Sequence, residues 1–460
     1  MPYNTAYIKK EKDALIHGSE WRIQMNNIIS KLLIYGDMPE DSILMSLADV
    51  CRQVKSDRYN KDELITQVYK QVKKLLVVAT DYGFDKNLWQ NYLTFIIITD
   101  ENPFSITCEK VGANDGSVNY FAKNDFKAFR DLFHYDFSEV ETALGIDCFS
   151  RLSEYKAIGK PELMYNKNVS EKVISLSDKL ASAKDENEFF DYVTEFYRDY
   201  GVGMFGLNKA FRIVPDESAN RVIFKPINNM DRVMLDDLIG YEIQKKKLVD
   251  NTKAFVEGRK ANNVLLFGDS GTGKSTSIKA IVNEYYDQGL RMIEIYKHQF
   301  KDLSNVIAQI KNRNYKFIIY MDDLSFEEFE IEYKFLKAVI EGGVETKPEN
   351  ILIYATSNRR HLIKETWNDR SDVESDNGMH RSDTMEEKLS LVNRFGVTIN
   401  YSKPSQKEYF NIATELARRA GVKMSDEDIC KEANKWELSH GGISGRTAQQ
   451  FVNYLVGQEM

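Results

Sequence analysis

Residues 264–276 read VLLFGDSGTGKST, and this stretch constrains the fold more than any other part of the chain. Gly268, Gly271, Gly273, Lys274 and Ser275 satisfy the pattern G-x-x-x-x-G-K-[ST]. The apolar run Val264–Phe267 leads in as a strand, and Ile278, Ala280, Ile281 and Val282 lead out at helical spacing. Glycines let such a loop fold back so that successive backbone N–H groups converge on phosphate oxygens. The helix that follows adds its unpaired first-turn N–H groups and the positive end of its dipole. The loop Gly268–Thr276, with Asp269, Ser270, Thr272 and Thr276 between the motif residues, therefore reads as the cradle of a nucleoside triphosphate. Lys274 suits the β- and γ-phosphates, and the Ser275 hydroxyl suits Mg²⁺.

The 460 residues are enough for about three domains with buried cores. Contents of 42% hydrophobic and 29% charged residues are ordinary for a soluble globular protein. The longest candidate for a membrane segment, Leu93–Thr99, is far too short to span and suits a buried helix end or strand. The start, MPYNTAYIKKEKD, has no apolar signal region, so export is not expected. Cys51, Cys108, Cys148 and Cys430 lack metal-ligand spacing and read as free thiols of a reducing cytoplasm. A net charge of −8 argues against a protein that coats nucleic acid, although a local basic pore is compatible with it.

Residues 1–212 read as a helical domain, with apolar residues recurring at three and four in Trp21–Leu33, Ile43–Val54, Leu64–Val78 and Phe189–Tyr197. Its aromatics (Trp89, Tyr92, Phe95, Phe121, Phe126, Phe129, Phe133 and Tyr135) suit either a core or a docking surface, and a core is the simpler reading. Residues 213–231 read as a linker. From 232 to 403, strands and helices alternate. Val264–Phe267, Met292–Ile295, Phe317–Met321, Ile351–Thr356 and Val397–Ile399 are short, nearly continuous apolar runs, as parallel strands covered on both faces require. Five strands with intervening helices predict a doubly wound α/β layer. Residues 404–460 turn helical again over Gln406–Ala420, Asp426–Trp436 and Gly445–Val456, a small cap.

FIIYMDD (317–323) sets two carboxylates at the carboxyl end of a buried strand. Asp322 is the candidate for Mg²⁺, and Asp323 for polarising an attacking water. Glu327 is the alternative to Asp323, while Ser325 and Glu328 have the spacing of a capping box. Asn358, at the tip of the next strand (ATSN), is placed to orient that water. Arg359 and Arg360 suit phosphate, a neighbouring subunit or plain solvent equally. Arg394, just before the last strand, and Arg446, near the start of the last helix, suit phosphate because the guanidinium fork stays charged and binds bidentately. Lys245–Lys247 read as a solvated face, and the polar stretch Glu365–Thr384 as a mobile surface excursion.

Taken in order and spacing, the phosphate loop, the double-aspartate strand, ATSN, RF before the last strand and GR in a helical cap resemble the AAA+ superfamily over residues 232–456. LDDLIGYEIQKKKL, ANNVLLFGDSGTGKS, DDLSFEE, YATSNRRHL and ISGRTAQQF look like one uncharacterised bacterial family of P-loop ATPases. The helical N-terminal part, with TDENPFS at 99–105, looks similar to it too. The resemblance implies an AAA+ type five-stranded parallel sheet with a helical lid, ATP and Mg²⁺ as ligands, and hydrolysis to ADP and phosphate. It further implies that Ile239 and Gly240 line an adenine pocket and that the subunits form a homo-oligomeric ring. In such a ring Arg394 is the finger reaching the next subunit, and Arg446 reports nucleotide state. Asp323 stands where most of that superfamily carries glutamate, one methylene longer. Two readings of function follow, a hydrolysing ATPase that remodels, loads or regulates a protein or nucleic-acid partner, and a slow ATP-gated switch or scaffold. A small-molecule kinase shares the loop but leaves the cap and the helical N-terminal part without a role.

Overall fold

The computed structural model describes residues 25–56, 58–159, 166–216, 221–228, 230–326, 330, 332–341, 348–358, 362 and 391–458. Glu327, Glu328, Arg359, Arg360 and the stretch Glu365–Thr384 lie outside the described residues. The chain divides into two compact units, Met1–Leu207 and Asn208–Met460.

The first unit is helical among its described residues. Its longest helices are Ile43–Val54, Lys61–Tyr82, Leu88–Thr99, Ser117–Phe133, Lys167–Ala181 and Glu186–Tyr200. Side-chain caps from Ser42, Asn60, Asn87, Asn166 and Asp185 satisfy first-turn N–H groups and mark where the chain enters five of these helices, while Ser117–Phe133 starts after Gly116 without one. The aromatics form the core: Trp89, Phe126, Phe129 and Phe133 are buried together with Phe104, Phe189 and Tyr197. Phe121 is exposed beside Tyr120. Two carboxylates, Glu109 and Asp125, are buried among its described residues. The Asp125 carboxylate accepts backbone N–H bonds from Leu33, Ile34 and Tyr35 at 2.7–3.0 Å, which offsets its desolvation.

The second unit is a mixed α/β layer on a seven-stranded sheet. Its strands are β1 (Ala210–Asp216), β2 (Arg221–Pro226), β3 (Val264–Gly268), β4 (Leu290–Glu294), β5 (Lys316–Met321), β6 (Ile351–Ser357) and β7 (Val397–Tyr401). Their order is β2-β1-β4-β5-β6-β3-β7. Among the described strands of this sheet, only β1 and β2 pair antiparallel. All other neighbours are parallel. The expectation of five strands is thus corrected to seven, because the segment 213–231 carries most of β1 and all of β2 instead of a plain connection. Helices α1 (Glu242–Val256) and α2 (Lys274–Tyr285) cover one face through Leu248, Phe255, Ile278, Ile281 and Val282. Met292, Ile318 and Leu352, aligned across β4, β5 and β6, meet them there. The alternate residues Ile293, Ile319 and Ile353 are buried on the opposite face, as the two-residue period of a strand requires. Helices α3 (Leu303–Ile310) and α4 (Glu332–Glu341) lie between β4 and β6 in the chain.

After β7, helices α5 (Gln406–Arg419), α6 (Asp426–Ser439) and α7 (Gly445–Gln458) form a bundle with its own core of Tyr409, Ile412, Ile429, Ala433, Phe451 and Val452. The capping box Ser405–Glu408 fixes the start of α5. Ile239 packs against this core from the segment before α1. Among the described residues, no helix is long and apolar enough to cross a membrane.

Candidate functional site

The loop between β3 and α2 opens where the sheet order switches: β3 lies between β6 and β7, whereas β4 is paired with β5 and β1. Open α/β sheets hold their ligands beyond the carboxyl ends of the strands at such a point. Three glycines shape the loop. Gly268 (φ 131°), Gly271 (φ 76°) and Gly273 (φ 89°) occupy backbone conformations that other residues seldom adopt. A Cβ on Gly268 would collide with the Tyr401 carbonyl of β7, and one on Gly271 would sit 3.0 Å from the Ser444 hydroxyl. The start of α7 is seated directly on the loop, with the Arg446 N–H donating to the Gly271 carbonyl at 3.1 Å.

Lys274, buried at 7% exposure, closes the loop on itself. Its Nζ donates to the carbonyls of Gly268 (2.9 Å) and Asp269 (2.6 Å) and to Asn358 Oδ1 (3.0 Å). Burial lowers the Lys274 pKa, an effect only partly countered by the carboxylates of Asp323, Asp269 and Asp322. Asn358 carries the chain onward, its Nδ2 donating to Asp323 Oδ1 at 2.7 Å. A continuous line Lys274–Asn358–Asp323 results.

Beside it lies a second constellation. The Ser275 hydroxyl donates to Asp322 Oδ1 at 2.7 Å, and the Thr356 hydroxyl donates to the same oxygen at 2.6 Å. Thr356 also accepts the Asp323 N–H at 2.9 Å. Desolvation pushes the Asp322 carboxyl up, but hydrogen bonding by Thr356 and Ser275 outweighs it and leaves the pKa below the ordinary carboxylate value. Asp323 turns the chain sharply after β5 with φ 49°, a left-handed conformation uncommon for any residue but glycine, asparagine and aspartate. The register explains the meeting. Met321 pairs with Ala355, so the residues just beyond, Asp322 and Thr356, reach one another at the strand ends.

These groups border a cavity of about 1060 Å³. Ser270, Gly271, Thr272, Gly273, Lys274, Ser275, Thr276, Asp322, Asp323, Asn358, Ile239 and Arg446 all line it. Gly268, Asp269 and Gly240 do not. Asp269 faces away, its carboxylate accepting the Lys403 N–H at 2.8 Å. Arg394 does not line the cavity and sits at the start of the turn before β7, directly after helical residues 391–393. Sequence reasoning missed several lining residues: Leu238, Ile412, Leu416, Thr356 and Arg419. The Arg419 Nη1 donates to the Asp236 carbonyl at 2.9 Å and ties α5 to the segment before α1. Arg446 is exposed and lines the cavity, and among the described residues no hydrogen bond or ion pair engages its guanidinium.

The donor set suits a magnesium–triphosphate complex. Ser275 Oγ and Asp322 Oδ1 are two hard oxygens held together, and Gly271 and Gly273 leave room where side chains would crowd a phosphate. Among the described residues, no cluster of three or more His, Cys, Asp or Glu forms a metal cage. Magnesium is typically held by one or two protein oxygens plus substrate phosphates, so this sparse set is the fitting one.

An α/β layer with a glycine-rich loop before a helix, two aspartates just past the end of β5, one strand beyond β6, and a helical bundle over the loop defines the architecture of this unit. Residues 208–459 match the family described as "Protein of unknown function (DUF815)", and the chain belongs to that family. No curated protein matches the sequence. Among solved structures, the chain is similar to three variants of Thermotoga maritima RuvB. The first is 18% identical with a TM-score of 0.34, over 48% of this chain and 63% of that one. The second is 17% identical with a TM-score of 0.32 over the same shares, and the third 18% identical with 0.33 over 48% and 64%. The chain therefore spans less than two thirds of the length of those structures.

Proposed function

We propose that this chain is a magnesium-dependent ATPase of the AAA+ type that binds ATP in the 1060 Å³ cavity and hydrolyses it to ADP and phosphate. The observation that carries the reading is the pair of constellations meeting at the loop, Lys274–Asn358–Asp323 and Ser275–Asp322–Thr356. Gly271, Gly273 and the first turn of α2 offer N–H groups to the phosphates, and Lys274 exchanges its carbonyl partners for phosphate oxygens. Ser275 and Asp322 hold the cation, which when bound neutralises charge on the β- and γ-phosphates. Asp323, held by Asn358, accepts a proton from water as the water oxygen bonds to the γ-phosphorus and the bond from that phosphorus to the β–γ bridging oxygen breaks, with ADP as the leaving group. Arg446 approaches from α7 and senses whether that phosphate is present. Leu238, Ile239, Ile412 and Leu416 supply an apolar wall for a base.

The reading extends to a homo-oligomeric ring in which Arg394 serves the neighbouring subunit, with the helical unit engaging a macromolecular partner. Calorimetry with Mg-ATP on the wild type and Lys274→Ala, paired with phosphate release at steady state, tests the core of it. Micromolar-range binding that is lost in the variant supports the assignment, and equal affinity in both overturns it. The second reading, an ATP-gated switch, draws on one observation: the short Asp323 carboxylate is already occupied by Asn358. Tight binding with negligible phosphate release selects the switch.

A further inference from the structure

Tyr320 is an anomaly of the buried sheet. It sits in β5 at 1% exposure, in the same cluster as Ile278 and Ile281 of α2. Its hydroxyl is buried and, among the described residues, makes no hydrogen bond. Two other tyrosines of this core behave differently. Tyr354 pairs with Thr252 at 2.7 Å, and Tyr401 donates to Ser277 at 2.9 Å. A buried O–H without a partner is destabilising, and hydrophobic clusters ordinarily place phenylalanine where no partner exists. The position tells where a partner belongs. Tyr320 lies in β5 and Asp322 follows two residues later, just past the strand's end, on the same side of the chain. That side is covered by the helix whose first turn holds Ser275. The phenol oxygen lies next to Ser275 and Asp322, close enough to interact with both without bonding either in good geometry.

Resting on the proposed magnesium–nucleotide site, we infer that Tyr320 is a positioning residue of that site, its O–H donating to a water bound to the cation held by Ser275 and Asp322. Ser275 and Thr356 both donate to Asp322 Oδ1, and the phenol, which bonds neither neighbour in good geometry, is available to an oxygen that arrives with the cation. A donor fixed on a rigid strand restricts that water to one direction. Groups that orient a metal's bound ligands in this way typically change metal affinity 10- to 100-fold when removed.

Tyr320→Phe deletes only the hydroxyl and keeps the ring in the core. The experiment is a Mn²⁺ titration followed by electron paramagnetic resonance, in the presence of a non-hydrolysable ATP analogue, on the full chain and the variant. Nucleotide binding in EDTA and thermal unfolding without cation accompany it. The inference expects Mn²⁺ affinity at least 10-fold weaker in Tyr320→Phe, nucleotide binding in EDTA unchanged, and a melting temperature equal to or above wild type, because an unpaired buried donor has gone. Equal Mn²⁺ affinity in the two proteins overturns it. Weaker affinity together with a lower melting temperature also overturns it, by assigning the hydroxyl to the core instead. A wild-type protein that binds no nucleotide, with or without Mn²⁺, overturns the parent reading, an outcome separate from either result on the variant.

Discussion

Two neighbouring aspartates differ in what holds them, and that difference assigns their roles. Asp322 receives two hydroxyl donors on one oxygen, whereas Asp323 receives one amide and sits in a left-handed turn. Asparagine tolerates that conformation as well as aspartate does. Asp323→Asn should therefore fold normally and bind Mg-ATP as the wild type does. Its turnover should fall by about 10²–10⁴-fold, the usual contribution of a positioned base. A phosphate-release assay beside a binding titration checks this, and unchanged turnover would move the role to another carboxylate, Glu327 first. Asp322 should also show itself in acid. Its folded pKa is lowered, so its contribution to stability is complete above the unfolded value of about 3.9 and is lost as the pH falls through the lower folded value. The stability difference between wild type and Asp322→Asn, from urea unfolding at a series of pH values, should shrink across that acid window and stay flat above pH 6. A difference growing toward acid would contradict the assigned hydrogen bonds.

At the level of elements, the phosphate loop depends on β7 and α7 as much as on its own glycines. A side chain on Gly268 meets the Tyr401 carbonyl while the backbone holds φ at 131°. Gly268→Ala should cost about 3 kcal/mol or more in folding stability, since strain and displacement of β7 act together. Denaturant titration of the two proteins measures it, and a loss below about 1 kcal/mol would mean that β7 yields easily. β3, β4, β5 and β6 were legible because both their faces are covered, which makes the runs continuously apolar, whereas the edge strand β7 showed itself only as a short apolar run with Thr398 and Asn400 exposed. β1 and β2 were not. In AFRIVPD, Phe211 and Ile213 are buried while Arg212 and Val214 face outward, and Pro215 reads as a breaker. An edge hairpin with one wet face has no uniform apolar signal. Within the site, Lys274, Ser275, Asp322, Asp323 and Asn358 were legible from motif spacing. Thr356 was hidden, because its meaning comes from the β5–β6 register, and Arg419 because its face of α5 is set by the bundle.

At the scale of the whole molecule, the site has one open question of supply. The cavity is lined by Arg446 and Arg419, yet Arg394 lies outside it. If Arg394 acts on a neighbour's nucleotide, then Arg394→Ala should keep ATP affinity and lose about 10³-fold in turnover. Mixing Arg394→Ala with Lys274→Ala, each inactive alone, should restore partial activity at interfaces that pair an intact loop with an intact arginine. Mixed assemblies proven by mass measurement but still inactive would remove Arg394 from that role. The β1–β2 hairpin bears on how the second unit stays a discrete particle. By pairing with β4, β1 occupies the hydrogen-bonding side of a strand whose residues Leu290, Met292 and Ile293 are wholly apolar. A fragment begun at residue 232 would bare that side as a flat, sticky margin able to recruit the strands of other molecules. The short segment before the loop thus acts as a selvedge, the finished border that keeps the cloth from fraying into aggregates.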